Sequence, residues 1–252
     1  MIALSLIGIG AGSPEHMTLG AVRALNAADL ILIPLKGDAK SDLAQLRHTI
    51  CAQVLTTNTV KLIEFELPVR DASGADYVAG VDDWHDRIAQ AWSQQITTHL
   101  PHGGRVALLI WGDPSLFDSS LRIAGRLQPA PTIDVIPGIT ALQALCAAHA
   151  IPLNEIGEPV LVTTGRKLRE RGWPVDADCV AVMLDGGGAF ECLDPAGLDI
   201  WWGAYVGMDQ QVLISGPLGQ VAPRIITTRQ AARASHGWIM DTYLLKRRHQ
   251  VR

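Results

Sequence analysis

Three times along this chain an apolar run stops abruptly on a glycine turn and gives way to residues at helical spacing. The segments are LSLIGIGAGSP, VALLIWGDPS and IDVIPGIT. An apolar run of strand length without polar alternation reads as a strand buried on both faces, which needs helices packed over it. Strands alternating with helices restrict the chain to an α/β fold. The spacing predicts strands over residues 3–9, 30–34, 60–65 and 105–110, and helices over 18–28, 43–55 and 82–100. In the last helix Trp84, Ile88, Trp92, Ile96 and Leu100 recur every four residues, with Asp82 placed to cap the first free N–H groups. Residues 68–80, rich in Gly, Asp and Ser, read as an exposed loop.

The short proline-punctuated segment LQPAP (127–131) is the best boundary. Beyond it the pattern resumes, with strands predicted over 132–136, 160–164, 179–184 and 202–206 and a helix over 140–149. Two α/β units follow, 1–126 and 127–252, each built on its own sheet. Open α/β sheets bind ligands beyond the carboxyl ends of their strands, so the natural site is a cleft between the units.

Composition narrows the function classes. With 252 residues and 48% hydrophobic content the chain can bury a sizeable core. Its 21 basic and 25 acidic residues leave a net charge of −4, a poor basis for nucleic-acid binding. Apolar runs such as 107–111 fall far short of the roughly 20 residues a spanning helix needs, so no membrane is expected. The uncharged start, MIALSLIGIGAGSP, has no basic region and is cut by glycines, so it reads as a strand and loop rather than a secretory signal. Cys51, Cys146, Cys179 and Cys192 show no C-x-x-C spacing and fit free thiols in a reducing cytoplasm. No metal cluster emerges from them and the eight scattered histidines.

Gly8, Gly10 and Gly12 alternate at the end of the first strand, allowing a sharp turn and the close approach of a ligand or neighbouring strand. A dinucleotide loop requires glycine where Ser13 stands, and Pro14 interrupts the helix start that would face a pyrophosphate. The second strand is followed by Lys36 instead of the acid that would hold a ribose. These departures count against a nicotinamide oxidoreductase and against a single-domain Rossmann-like methyltransferase. In the second turn, Asp113 either caps a helix starting at Pro114 or meets a ligand's donors, with Ser119 and Ser120 one turn further on. In the third, Thr140 is a helix cap or a ligand contact.

These three signals, in this order, resemble the tetrapyrrole methylase family, the two-domain S-adenosylmethionine enzymes of cobalamin and siroheme biosynthesis. The family's first motif matches LSLIGIGAG…ALNAADLILIP, its second matches Gly112 to Phe117, and its third matches Pro137 to Leu153. Ala11 stands where many relatives carry proline, and GGGAF at 186–190 is unusually glycine-rich. The resemblance implies methyl transfer to C1 of precorrin-5 with release of the acetyl group as acetate. A relative methylating another ring carbon without deacetylation is the alternative, and a non-catalytic tetrapyrrole carrier belongs to a different class.

The family also implies a cytoplasmic homodimer and S-adenosylmethionine folded between the domains. The cofactor would touch Gly112, Asp113, Ser119, Ser120, Ile139 and Thr140, then Met183, Leu184, Ala204 and Tyr205; core packing is the other reading of Met183. Acetyl removal needs an oriented water, for which Glu15, His16, Asp113 and Tyr205 are candidates. Gly10, Gly12 and Ser13 lie on the family's substrate side. The macrocycle carries several carboxylates, which Arg166, Lys167 and Arg169 in GRKLRERG would bind unless that segment is a solvated loop. Lys246, Arg247 and Arg248 read as a solvated tail.

Overall fold

Side chains of the first three central strands point alternately into two separate cores. On β1 (Ile2–Gly8), β2 (Leu30–Leu35) and β4 (Gly104–Ile110), residues Leu4, Leu6, Leu30, Leu32, Val106 and Leu108 line one core. Ile7, Ile31, Ile33, Ala107 and Leu109 line the other. The two-residue period of a strand therefore sends successive residues at the centre of these runs into one core or the other, which is why that stretch carries almost no polar alternation. The computed structural model describes residues 1–35, 41–70 and 77–248.

Two compact units divide at Ile139 and Thr140. In the first, a five-stranded parallel sheet has the order β3-β2-β4-β1-β5, with β3 at Lys61–Glu66 and β5 at Thr132–Ile136. Helices α1 (Leu19–Asn26) and α2 (Ser41–Val54) cover one face, and α3 (Tyr77–His99) and α4 (Ser120–Ala124) cover the other. The sequence assigns the strand at 132–136 to the second unit; the structure pairs it with β1 in the first sheet, Ala3 opposite Thr132 through Ile7 opposite Ile136. The prolines at 127–131 mark a connection within the first unit, and the division falls after the third glycine turn.

The second unit holds a mixed sheet, β6-β7-β10-β8-β9. Its strands are β6 (Leu161–Thr164), β7 (Cys179–Met183), β8 (Leu198–Ala204), β9 (Val212–Pro217) and β10 (Asp241–Arg247). Among its hydrogen-bonded neighbours only the pair β6 and β7 is parallel; the other three pairs are antiparallel. Helices α5 (Ala141–His149), α6 (Gly165–Arg171) and α7 (Leu218–His236) complete it. A buried polar net ties it together. Asp241 accepts from the Trp202 indole at 2.8 Å and from Arg229 Nε at 2.7 Å, and Arg229 also donates to the Asp185 carbonyl at 2.7 Å.

Several local expectations change. Asp82 does not cap α3: the residue lies within the helix, and its largely exposed carboxylate pairs with Arg126. The helix begins at Tyr77, so part of the predicted loop at 68–80 is helical. Residues 71–76 and Lys36 lie outside the described residues. GRKLRERG is helix α6 rather than a loop, capped by Thr164, whose side chain accepts from the Lys167 N–H. Lys246 is no tail residue. It sits buried in β10, donates to the Pro152 carbonyl at 3.1 Å and Glu155 at 2.8 Å, and lies 5.5 Å from the Trp201 ring centroid. Among the described residues no helix is long and apolar enough to cross a membrane.

Candidate functional site

Strand order and crossover direction locate the mouth of the first sheet. From β1 the chain leaves through α1 on one face to β2, whereas from β4 it leaves through α4 on the opposite face to β5. Adjacent parallel strands whose connections depart to opposite faces define a switch point, where a crevice opens beyond their carboxyl ends. The glycine turns following β1 and β4 meet there. Gly10 and Gly112 form a reciprocal bridge, Gly112 N–H to Gly10 carbonyl at 2.8 Å and Gly10 N–H to Gly112 carbonyl at 3.3 Å.

The third turn, at Pro137–Gly138, closes on the same place. A Cβ on Gly138 would stand 2.2 Å from the Gly112 carbonyl oxygen, and one on Gly8 would stand 2.6 Å from the Gly138 nitrogen. Of the two uses that bare glycine backbone permits here, the structure shows the close approach of neighbouring backbone. Asp113 staples the second turn to the third. One carboxylate oxygen accepts from the Ser115 N–H at 2.8 Å and hydroxyl at 2.5 Å, and the other accepts from the Gly138 N–H at 2.8 Å. Burial would raise its pKa, but these bonds outweigh burial and hold it below the usual carboxylate range. The residue is therefore an ionised tie between turns, neither a helix cap nor a poised base; α4 begins only at Ser120.

Ser120 is buried, and its N–H donates to Asp118 at 2.6 Å. Ser119 occupies the N-cap position of α4 without a side-chain cap bond. In the first loop Ser13 caps a short 3-10 turn at Pro14–His16 by accepting from the Glu15 N–H at 3.1 Å. Gly12 is left-handed at φ 151°, and Glu15 is exposed. His16 is half-buried, its Nδ1 accepts from the Ala11 N–H at 3.3 Å, and its Cβ occupies the place a Cβ on Gly10 would take.

The sequence reading passed over Arg47. It is buried on α2 beneath this mouth, and its Nε donates to the Leu109 carbonyl at 3.1 Å, three residues before Gly112. Burial pushes its pKa down to about 10, against the favourable pull of Asp118. An arginine between Leu46 and Ile50, on the stripe that otherwise faces the sheet, was the available signal.

In the second unit, Met183–Leu184 and Ala204–Tyr205 close the carboxyl ends of β7 and β8, which run parallel to each other on either side of β10. Leu184 and Tyr205 both hold φ at 51°, unusual for residues with a Cβ, and Leu184 is 65% exposed. Phe117, in the second turn of the first unit, shares that backbone conformation and is 44% exposed. Left-handed non-glycine residues collect where surroundings impose them, often beside ligands. At the mouth of the first sheet the backbone groups of the three glycine turns and the ionised Asp113 stand together, and the carboxylate makes that mouth locally negative.

Two expectations need revising, those for Tyr205 and Arg169, and of the two readings of Thr140 the structure shows the helix cap. The Tyr205 hydroxyl donates to the Trp238 carbonyl at 2.5 Å in a buried setting, so it is not available to activate water. Thr140 is the N-cap of α5, its side chain accepting from the Leu142 N–H at 3.2 Å and pairing with Gln143. Arg169 is committed to the buried Asp185 carboxylate at 2.9 Å, while Lys167 pairs with Glu170 at 3.1 Å and Arg166 reaches Glu170 at 4.0 Å. Asp185 also accepts from Tyr243 at 2.6 Å and from two backbone N–H groups of the glycine-rich segment. Ile139 is the last residue of the first unit.

Comparison with known proteins agrees with this architecture. The family model for Tetrapyrrole (Corrin/Porphyrin) Methylases matches residues 3–222. A Sinorhizobium sp. protein named Precorrin-6A synthase [deacetylating] is 47% identical over 251 residues, covering 98% of this chain and 96% of that one. Precorrin-2 C(20)-methyltransferase of Sinorhizobium sp. is 30% identical over 62% of this chain and 60% of its own length. A crystal structure described as a cobalamin synthesis related protein (CobF), from Corynebacterium diphtheriae, superposes with a TM-score of 0.83 at 37% identity, covering 99% of this chain and 100% of that one. A Thermus thermophilus uroporphyrin-III C-methyltransferase complexed with S-adenosyl homocysteine shares the fold, with a TM-score of 0.58 at 18% identity over 97% of each chain. The family-model match over residues 3–222, together with the 47% identical relative that spans nearly the whole chain, places the chain in the tetrapyrrole (corrin/porphyrin) methylase family.

Proposed function

We propose that this protein is an S-adenosylmethionine-dependent C-methyltransferase of cobalamin biosynthesis that methylates precorrin-5 at C1 and releases the acetyl group as acetate, giving precorrin-6A. The observation that carries the reading is the 47% identity, over nearly the whole of both chains, to a relative named for that deacetylating reaction. The relative named for a different ring carbon matches at 30% over less than two thirds of the chain.

The cofactor supplies an activated methyl group on a sulfonium. What remains for the protein is mostly alignment, which can lower a barrier by roughly 7–11 kcal/mol in favourable cases. A mouth of tied backbone turns suits that task. On this reading Gly112, Ser119, Ser120 and Ile139 contact the cofactor from the first unit, and Asp113 fixes the turn and supplies negative charge. Met183, Leu184 and the backbone at Ala204 and Tyr205 hold it in the second. Gly12, Ser13, Arg166 and Lys167 meet the carboxylate-rich substrate. The work takes place in the cytoplasm, in keeping with the free cysteines, and in a homodimer. The exposed edge strand β5, with Ile133 and Val135 at 38% and 39%, supports an oligomer, because exposed apolar edges invite pairing. Light scattering reads the mass directly.

The decisive experiment incubates the protein with precorrin-5 and S-adenosylmethionine, following acetate and methyl incorporation together. Both products are expected in equal amounts. Methylation without acetate moves the assignment to a different ring carbon. Calorimetry should show binding of S-adenosylhomocysteine and none of NADPH; a carrier would bind the macrocycle and ignore S-adenosylhomocysteine.

A further inference from the structure

Within the reaction just proposed, we infer that His16 acts as a neutral hydrogen-bond donor through Nε2–H to the acetyl carbonyl oxygen of the substrate, and not as the base that takes a proton from water. The inference rests on that reading and on the geometry of the first loop.

His16 is held in place by its own backbone. Ser13 caps the turn that carries it, and its N–H donates to the Ser13 carbonyl at 3.0 Å. Its Cβ packs on Gly10 at the switch point, beside the Gly10–Gly112 bridge. The Ala11 N–H donates to Nδ1, so that nitrogen must be bare. A neutral imidazole with a bare Nδ1 carries its single proton on Nε2. Among the described residues no protein group pairs with Nε2. Partial burial lowers the imidazole pKa, with exposed Glu15 pulling the other way, so the neutral form persists near neutrality.

The chemistry needs such a donor. Water oxygen adds to the acetyl carbon, and the carbonyl electron pair moves onto oxygen, where negative charge develops. As this adduct collapses, the bond between the acetyl carbon and C1 breaks. Its electron pair passes to the macrocycle, where it takes up the methyl group; acetate leaves, and the protons of water pass to solvent. A fixed N–H aimed at the developing oxyanion stabilises that adduct, and one such donor is typically worth about 100- to 1,000-fold in rate. A histidine whose Nδ1 is already occupied, and whose Nε2 bears the proton, has no lone pair with which to deprotonate water.

Two measurements test the role. Nitrogen NMR of histidine-labelled protein at pH 7.5, with the His16 signals identified by their loss in His16→Gln, should show Nδ1 unprotonated and Nε2 protonated. The opposite tautomer, or an imidazolium, overturns the inference. Acetate release should fall about 100- to 1,000-fold in His16→Ala while S-adenosylhomocysteine binding is unchanged. His16→Gln, whose amide can donate but cannot act as a base, should recover most of the rate. A folded His16→Gln protein that has lost acetate release about 100- to 1,000-fold sinks the donor role, whether or not the Ala variant folds. Acetate release at the wild-type rate in both variants sinks it equally. Wild-type protein that methylates without releasing acetate removes the functional reading and this role together.

Discussion

At the scale of single residues, the mouth of the first sheet is a contest for space between three backbones. Gly138 makes the tightest backbone approach among them, because a Cβ there would meet the Gly112 carbonyl oxygen at 2.2 Å, a main-chain atom with no flexible end to withdraw. Gly138→Ala should therefore destabilise the protein by about 1–3 kcal/mol, read as a lower urea midpoint, and weaken S-adenosylhomocysteine binding through displacement of the second turn. Asp113 acts over the same distance by charge. Its folded pKa lies below the unfolded value of 3.8, so its stabilisation is complete above that value and is lost as pH falls through the folded pKa. Asp113→Asn keeps the shape but loses charge-assisted acceptance. It should cost about 1–3 kcal/mol at pH 7, and the deficit should shrink when the denaturation is repeated near pH 3. A deficit that is the same at both pH values would show that the carboxylate's charge contributes nothing to the tie.

At the scale of elements, α3 carries a titratable group in an apolar interface. His85 is 4% exposed, and its Nε2 is buried without a hydrogen-bond partner among the described residues. Burial lowers its pKa first; Arg126 and Arg122 push the same way, and Asp82 and Asp86 oppose them. With a folded pKa below the unfolded 6.5, the helix packs best with His85 neutral. Stability is complete above about pH 6.5 and declines as pH falls towards the folded value. Urea midpoints at pH 7.5 and 5.5 should drop for the wild type and drop less for His85→Leu. His16 and His149 shift in the same direction, so some acid dependence should remain. A His85→Leu protein with the full wild-type drop would place the acid sensitivity elsewhere. The same helix shows how far sequence reading reaches. Its four-residue apolar repeat is visible, because burial of one face writes the helical period directly. Its start at Tyr77 is not, because Asp82 looks like a cap until Arg126 is known to reach it.

At the scale of the whole molecule, the thiols report on packing in both units. Cys51, Cys146 and Cys179 are buried, and burial pushes the Cys51 and Cys179 pKa values up to about 11 each, so neither forms thiolate readily. Cys192 alone is exposed. Titration of native protein with Ellman's reagent should therefore show a single fast thiol, absent in Cys192→Ser, and all four after denaturation. A second fast thiol would mean that one of these cores opens on the timescale of the assay.

The sequence by itself determined the α/β class, most strands of the first sheet and the three glycine turns, because burial on two faces and sharp reversals each leave a local residue pattern. It determined the family for the same reason, since those turns are short and contiguous. It did not determine that the strand at 132–136 pairs with β1, that the second sheet is mixed, or that Arg169, Thr140 and Tyr205 have their polar groups engaged within the protein. Those outcomes depend on partners far apart in the chain, and a local pattern of apolar and polar residues is the same whichever distant group satisfies it. Tertiary structure alone decided that Asp113 ties two turns and that the Ala11 N–H meets His16 Nδ1, because each follows from which backbone N–H arrives at which atom.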